Sequence, residues 1–205
     1  MRYIDVDSWN RKRLYHHFMQ LKDPFFGVVI PFDVTNAFEF SRKRNVSFFV
    51  KYLHDCMKAI NTVDNFRYRI INQKVVDYDV IHASATVARE DNTYGFSFIS
   101  YSEDLDEFST NFNEEKKRIQ NSDELYPPLN GQDCIHCSAL PWFHFTGHKE
   151  PSSGNIESIP ELAFSKYKKE GSKLIMNVSI HVNHALIDGY HVGQFAEIFQ
   201  NNLNT

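Results

Sequence analysis

The chain has 205 residues and a mass of 24.0 kDa, a size that favours a single domain over residues 1–205 with a sizeable core. Its formal net charge of −4 argues against nucleic acid as a partner, because nucleic-acid-binding proteins usually present a basic surface. The sequence has no signal-peptide pattern at MRYIDVDSWN and no apolar run near the roughly 20 residues of a membrane span, so we expect a cytoplasmic protein without membrane contact.

The first half of the chain alternates between helical and extended patterns. Apolar spacing predicts a helix over residues 8–20, capped by Ser8, and a second helix over residues 45–64. The β-rich segment FFGVVIPFDV (25–34) predicts a strand between them. YRII and KVVDYDV flank Asn72-Gln73, which predicts a tight hairpin.

The second half continues with strands, two helices and a loop. The predicted helices cover residues 104–120 and 189–203, and a Pro- and Gly-containing loop covers residues 122–133. The predicted strands are 80–88, 94–101, the segment CIHCSALPWFHF (134–145) as far as Pro141, and a hairpin of 156–168 and 173–182 that turns at Glu170-Gly171. Hairpin-linked strands with interspersed helices predict an α/β fold with a mixed sheet.

Cys134 and Cys137 form a C-x-x-C motif, which could indicate zinc or redox chemistry. Structural zinc needs a second pair of ligands, which this sequence does not offer. A redox motif belongs at the start of a helix, whereas this one lies within an apolar strand pattern. The odd number of cysteines, 3, fits a reducing compartment. We therefore interpret both cysteines as ordinary strand residues.

The segment HVNHALIDGYH (181–191) concentrates titratable side chains near the C-terminus. The pattern predicts a strand that ends at His184, a turn at Asp188-Gly189, and then a helix. A loop between a buried strand and a helix commonly carries catalytic groups. A histidine that titrates near neutral pH can accept a proton from a hydroxyl group, and Asp188 could orient the ring or brace the loop.

Two other interpretations of this segment compete with an acid/base centre. A metal site would use His181, His184 and His191, but their spacing lacks the helical pattern of metal-binding histidine pairs, so we expect no metal. The other interpretation is a buried core histidine beside a turn aspartate. The residues of this segment alone leave that choice open.

His184, Asp188 and Gly189 form H-x-x-x-D-G, and this segment resembles the signature of the chloramphenicol acetyltransferase family. SALPW (138–142), KYKKEG (166–171) and SWNRKR (8–13) extend the resemblance over essentially the whole chain. H-x-x-x-D-G alone is shared with dihydrolipoyl acyltransferase cores, whereas its combination with SALPW and a short chain is far more specific. The resemblance implies the CoA-dependent acyltransferase fold, a two-layer α/β sandwich with a mixed, largely antiparallel sheet covered by helices.

The resemblance also implies roles for individual residues. His184 would be the general base, with Nε2 facing the acceptor hydroxyl and the other ring nitrogen held by the histidine's own backbone carbonyl. Asp188 would pair with Arg11 to brace the loop, and the Ser138 hydroxyl would stabilise the oxyanion. The residues assigned to the acceptor pocket are Phe18, Thr93 and His148, and those assigned to CoA are Lys166 and Tyr167.

Several positions depart from the family pattern on the acceptor side. Ala163 stands where the family often has a threonine that helps to hold the intermediate through water. Phe18 replaces a tyrosine that touches the antibiotic, and Asn183 replaces a second histidine before His184. We read this combination as acetyl transfer with an acceptor that the sequence does not specify.

The expected function is therefore that of an O-acetyltransferase with acetyl-CoA as co-substrate and no bound cofactor. Chloramphenicol is the best-motivated acceptor, and another small hydroxyl compound is the rival. The resemblance implies a homotrimer with active sites at subunit interfaces. Acyl transfer to a dihydrolipoyl thiol is disfavoured because the sequence shows no lipoyl domain or Ala/Pro-rich linker. A family member that binds small molecules without catalysis is the third alternative.

Overall fold

A computed structural model of the chain describes residues 1–151 and 157–205. Its elements, in chain order, are β1 (Arg2–Ile4), α1 (Lys12–Phe18), β2 (Phe25–Asp33), α2 (Thr35–Arg44), α3 (Phe48–Thr62), a 3₁₀ turn (Asp64–Arg67), β3 (Tyr68–Ile71), β4 (Lys74–Asp77), β5 (His82–Ala88), β6 (Tyr94–Phe96), α4 (Leu105–Gln120), β7 (Cys134–Leu140), β8 (Glu161–Ser165), β9 (Lys168–Glu170), β10 (Lys173–Asn183) and α5 (Gly189–Leu203). The predicted strand 156–168 starts at residue 156, which lies outside the described residues.

The larger sheet has the strand order β2-β10-β8-β7-β5-β6, and β9 pairs with the outer part of β10. The β5–β7 and β7–β8 pairs are parallel, whereas β10 pairs antiparallel with β2, β8 and β9, and β5 pairs antiparallel with β6. β1, β4 and β3 form a small antiparallel sheet. The predicted α/β fold with a mixed, largely antiparallel sheet is therefore confirmed.

The two faces of the larger sheet differ in polarity, as the alternation along β10 shows. In its inner part, residues 176–183, the buried apolar residues are Met176, Val178, Ile180 and Val182, and the polar residues that alternate with them are Asn177, Ser179, His181 and Asn183. The apolar face meets the helices, as in the contacts of Phe32 with Phe199 of α5 and of Phe164 with Tyr52 of α3. Full burial of each such side chain contributes about 1.5–3 kcal/mol. The other face, called here the polar face, is available for a site.

Several predicted elements are confirmed with small changes in length. α5 begins and ends where it was predicted, and α4 begins one residue late because Asp104 is its N-cap and accepts a hydrogen bond from the Glu107 amide. The hairpin between β3 and β4 turns at Asn72 and Gln73, both with positive φ (49° and 63°), as a two-residue hairpin turn requires. Gly171, at φ +60°, turns the chain from β9 into β10.

Other predictions about elements are wrong. α1 covers Lys12–Phe18 rather than 8–20, and Ser8 does not cap it, because its hydroxyl donates to Asp5. Neither α2 nor β1 was predicted. Only Ala37 and Ser41 of α2 are buried, so it lacks an apolar stripe, and β1 has three residues. Asn45, in the left-handed conformation, ends α2, so α3 begins three residues later at Phe48.

Cys134 and Cys137 both lie in β7, as predicted, and both are buried free thiols. Burial raises the pKa of Cys134 to about 11 and raises the pKa of Cys137 further. Both side chains are therefore thiols rather than thiolates at neutral pH. Within residues 1–151 and 157–205, no helix has the length and apolar character needed to cross a bilayer.

Candidate active site

His184 lies in the turn that follows β10, and aromatic packing fixes its position. Its backbone N–H donates to the carbonyl of Pro24 at 2.9 Å, which ties the turn to the start of β2. The imidazole stacks on Phe18, with ring centroids 3.9 Å apart and planes 9° apart, and Phe26 lies 4.6 Å from it at a tilt of 46°. Phe18 was predicted to contact the acceptor, and the structure places it against the predicted base.

The two ring nitrogens of His184 have different surroundings. Nδ1 is buried and has no hydrogen-bond partner among the described residues. The hydrogen bond that the resemblance implied, from this nitrogen to the backbone carbonyl of His184, is therefore not formed, and that expectation is wrong. The carbonyl instead accepts a hydrogen bond from Arg11 Nη2 at 3.4 Å. Aromatic stacking therefore holds the ring, and the role of Nε2 in proton transfer stays a prediction.

Asp188 joins the turn to α1 and to the start of α5. Its Oδ2 lies 2.5 Å from Arg11 Nη1, so the predicted pair is present and mostly buried. Its Oδ1 accepts a hydrogen bond from the Tyr190 amide, and its own amide donates to Nδ1 of His191, which completes a capping box. Burial alone would raise the pKa of Asp188, but the Arg11 hydrogen bond and the positive charges nearby hold that pKa below its ordinary value.

Ser138 lies on the polar face of the sheet, in β7. It pairs with Ala163 of β8, which in turn pairs with Ser179 of β10. A cavity of about 470 Å³ opens beside it, within the size range of small-molecule pockets. The lining residues of this Ser138 cavity are Ser84, Thr86, Tyr94, Phe96, Tyr126, Asn130, His136, Cys137, Ser138, Glu150, Pro151, Glu157 and Glu161.

A second cavity, of about 290 Å³, lies on the same face towards His184. This Phe26 cavity is lined by Lys22, Asp23, Pro24, Phe25, Phe26, Gly27, His148, Lys149, Glu150, Pro151, Glu157, Glu161 and His181. Four residues line both cavities, namely Glu150, Pro151, Glu157 and Glu161. The two cavities are therefore neighbouring parts of one groove. His148, predicted in the acceptor pocket, lies in it with its ring 6.1 Å from that of His181.

Strand register separates His184 from Ser138 within one chain. Ser138 is two strands away from Ser179, and His184 follows Ser179 by five residues along β10. At about 4.8 Å between strands and 3.4 Å per residue, the two residues lie roughly 20 Å apart. A hydroxyl group bound at Ser138 cannot reach His184 of the same chain.

Comparisons with known proteins by sequence and by structure identify the same protein family. The sequence profile described as "Chloramphenicol acetyltransferase" matches residues 1–200. The chain belongs to the chloramphenicol acetyltransferase family. The chloramphenicol acetyltransferase of Bacillus pumilus is 26% identical over 194 residues, which cover 93% of this chain and 88% of that protein. Chloramphenicol acetyltransferase 2 of Escherichia coli is 26% identical over 200 residues, 96% of this chain and 94% of that protein.

Solved structures agree with this family membership. A chloramphenicol acetyltransferase superposes with a TM-score of 0.85 at 25% identity, covering 98% of this chain and 99% of that one. The dihydrolipoamide acetyltransferase of Azotobacter vinelandii superposes with a TM-score of 0.68 at 16% identity, covering 94% and 86%, which shows a shared fold. The predicted family, fold and acyltransferase class of this chloramphenicol acetyltransferase family member are confirmed.

The remaining residues predicted for this family member lie outside both cavities. Lys166 is exposed, and the Tyr167 ring packs against Phe38 and Phe48, with centroids 5.3 Å and 6.0 Å away. Thr93 lies in the turn between β5 and β6, where its hydroxyl donates to Asp91. Their roles in binding CoA and the acceptor stay predictions.

Sequence reasoning missed a row of polar side chains on the polar face of this family member. His136 pairs with Glu161, which pairs with His181, across β7, β8 and β10. The sequence carries one signal for this row, a polar residue at alternate positions of each of the three strands. The register between the strands, which brings these residues together, cannot be derived from that pattern. In the described part of the chain, no group of three or more His, Cys, Asp or Glu side chains is arranged to hold a metal ion.

Proposed function

We propose that this protein transfers the acetyl group of acetyl-CoA to a hydroxyl group of a small acceptor, and that chloramphenicol is one such acceptor. The observation that carries this proposal is the braced turn of His184. Its ring is held between Phe18 and Phe26, and its loop is tied by Arg11 and Asp188, in a chain of the chloramphenicol acetyltransferase family. A rigidly held base is what a direct transfer between two bound substrates requires.

The proposed reaction needs no covalent enzyme intermediate. Nε2 of His184 takes the proton of the acceptor hydroxyl while the hydroxyl oxygen forms a bond to the thioester carbonyl carbon. The carbonyl oxygen then carries the negative charge of a tetrahedral intermediate, to which the Ser138 hydroxyl donates a hydrogen bond. When the C–S bond breaks, the departing CoA thiolate takes the proton from the imidazolium. Acetyl-CoA is thus a co-substrate, and we assign Lys166 and Tyr167 to its nucleotide end.

Asp188 and Arg11 are proposed to position the base rather than to exchange protons. Asp188 contacts Arg11, Tyr190 and His191 but is not hydrogen-bonded to the His184 ring. Arg11 in turn contacts the backbone carbonyl of His184. The pair therefore holds the peptide that carries the base.

We further propose that each active site combines two chains of a homotrimer. The roughly 20 Å between His184 and Ser138 within one chain supports this, because strand spacing rules out a shared site in the monomer. His184 of one subunit would then face the groove with Ser138 of its neighbour. We place the enzyme in the cytoplasm, where the free thiols of Cys134 and Cys137 would persist.

Release of CoA thiol from acetyl-CoA in the presence of chloramphenicol tests the proposed reaction. The wild-type protein should release thiol, and His184→Ala should lower the rate by several orders of magnitude while the protein stays folded. His16→Ala is the matched control, because His16 is an exposed histidine of α1. Thiol release that survives in His184→Ala would disprove the mechanism. A protein inactive with chloramphenicol and with a panel of other hydroxyl compounds would be a non-catalytic binding protein.

Mixing two variants of strongly reduced activity tests the shared site. Co-refolded Ser138→Ala and His184→Ala chains should regain activity, because some interfaces will join an intact serine to an intact histidine. Random mixing in equal amounts gives about one quarter of the wild-type sites, since each residue is intact at half of the positions. Each variant refolded alone is the control. No recovery in the mixture would refute a site that is shared between chains.

A further inference from the structure

The row of His136, Glu161 and His181 runs across the middle of the polar face. Directly paired residues of neighbouring strands project to the same face with Cβ atoms about 5 Å apart. His181 also pairs with Gly27 of β2, and a Cβ atom at Gly27 would lie 2.0 Å from the His181 ring. The missing side chain at Gly27 therefore makes room for that imidazole. Glu161 is left between two histidines, at the centre of the groove.

The Ser138 cavity is strongly acidic. Its lining includes the carboxylates of Glu150, Glu157 and Glu161 but no lysine or arginine. The positive side chains of the groove, Lys22 and Lys149, line the Phe26 cavity instead. Negative potential is therefore concentrated beside Ser138, where the proposed acceptor would bind.

The protein compensates the charge of Glu161 less than that of Glu150. The Glu161 side chain makes no hydrogen bond or ion pair with any other described residue, whereas Glu150 lies 3.5 Å from Nε2 of His148. Burial, followed by the negative charges of Glu150, Glu157 and Asp23, raises the pKa of Glu161 to about 7. A positive charge beside it would favour the ionised form and offset part of its desolvation cost.

We propose that the acceptor pocket prefers hydroxyl compounds that carry a protonated amine, with the ammonium group bound at Glu161, over neutral compounds of the same framework. The proposal rests on the proposed function, since it names the substrate class of that same pocket. The shared wall of the two cavities places Glu161 within the groove that Ser138 also lines. The acceptor can therefore pair its ammonium with Glu161 while a hydroxyl group faces the base.

The same charge also decides which group of an amino alcohol is acetylated. An ammonium group has no free electron pair and cannot attack the thioester, and a carboxylate beside it favours the protonated form. The hydroxyl group remains the nucleophile and loses its proton to His184. The product is therefore an ester, with the amine still protonated and free CoA as the second product.

A matched pair of acceptors tests this preference. The cationic acceptor is the amine left when the dichloroacetyl group of chloramphenicol is hydrolysed off, and the neutral acceptor is the N-acetyl derivative of that amine. Both keep the same diol. The assays are kcat/KM by thiol release, NMR identification of the acetylated atom, and Kd by calorimetry. The variants are Glu161→Gln and, as a control, Glu114→Gln on the exposed side of α4.

The wild-type protein should prefer the amine over its N-acetyl derivative by about tenfold or more in kcat/KM and in Kd, because only the amine forms a buried charge pair with Glu161. Glu161→Gln should reduce this ratio at least tenfold, and Glu114→Gln should preserve it. A ratio that favours the neutral compound, or one that Glu161→Gln leaves unchanged, overturns the proposal. If chloramphenicol and both acceptors fail to react, the proposed function is refuted. The ratio of the Kd values of the two acceptors then tests the binding preference independently of catalysis.

Discussion

Replacing Glu161 with glutamine should stabilise the protein at alkaline pH and have little effect at acid pH. The pKa of Glu161 rises from 4.5 to about 7 on folding, chiefly through burial and then through three neighbouring carboxylates. The folded state therefore holds the proton more tightly than the unfolded state. The associated stability is present below about pH 4.5 and is lost as the pH rises through about 7. At about 1.4 kcal/mol per pKa unit, the loss is at most roughly 3.5 kcal/mol, and partial exposure lowers it to about 1–3 kcal/mol.

Urea unfolding at a fixed protein concentration measures this effect, since the concentration of an oligomer affects its apparent stability. The free energy of unfolding of Glu161→Gln should exceed that of the wild type by about 1–3 kcal/mol near pH 8, and the two should converge below about pH 4.5. Glu114→Gln, which removes an exposed carboxylate, should show no such change with pH. A variant that is less stable near pH 8, or equally shifted at both pH values, would refute the assignment of an uncompensated charge to Glu161.

Three further substitutions test the oxyanion serine, the brace of the base and the hairpin turn between β3 and β4. Ser138→Ala should lower kcat about 100-fold in the thiol-release assay with little change in KM, because the lost hydrogen bond forms only in the transition state. Arg11→Ala should lower the free energy of unfolding by about 2–4 kcal/mol in urea and reduce kcat as well, since it leaves Asp188 without its charge partner. An unchanged melting temperature would refute the brace. Gln73→Gly should stabilise the hairpin by about 0.5–1 kcal/mol in the same unfolding assay, because Gln73 has a positive φ.

The junction that carries His184 could be predicted because its signals are local. Asp188 and Gly189 predicted a turn followed by a helix, and α5 follows directly, with Asp188 found to be its N-cap. The hairpin at Asn72-Gln73 was predictable for the same reason, since two residues decide its turn. The resemblance added Arg11, which is 177 positions away from Asp188 and which no local pattern could have paired with it.

The groove could not be predicted, because it depends on strand register. Glu161 becomes a neighbour of His136 and His181 only when β8 lies between β7 and β10 in one register, and a shift by one residue would turn it to the apolar face. α2 was missed because its mostly polar sequence gives no helical stripe. The partner expected for Nδ1 of His184 was wrong, since that nitrogen has no hydrogen-bond partner among the described residues and the ring stacks on Phe18.

The distribution of unpaired polar atoms supports a surface that binds something else. Among the described residues, the buried side-chain atoms without a hydrogen-bond partner include Arg11 Nε, His148 Nδ1, Ser179 Oγ and His184 Nδ1. These four lie at the His184 turn or on the polar face of the sheet, whereas a fifth, Asp77 Oδ1, lies in β4, 3.4 Å from Arg67 Nε. Each such atom costs about 1–3 kcal/mol, and a sequence shaped by stability alone would not gather them at one place. Their concentration is expected where a substrate or a neighbouring subunit supplies partners, which is what a shared active site requires.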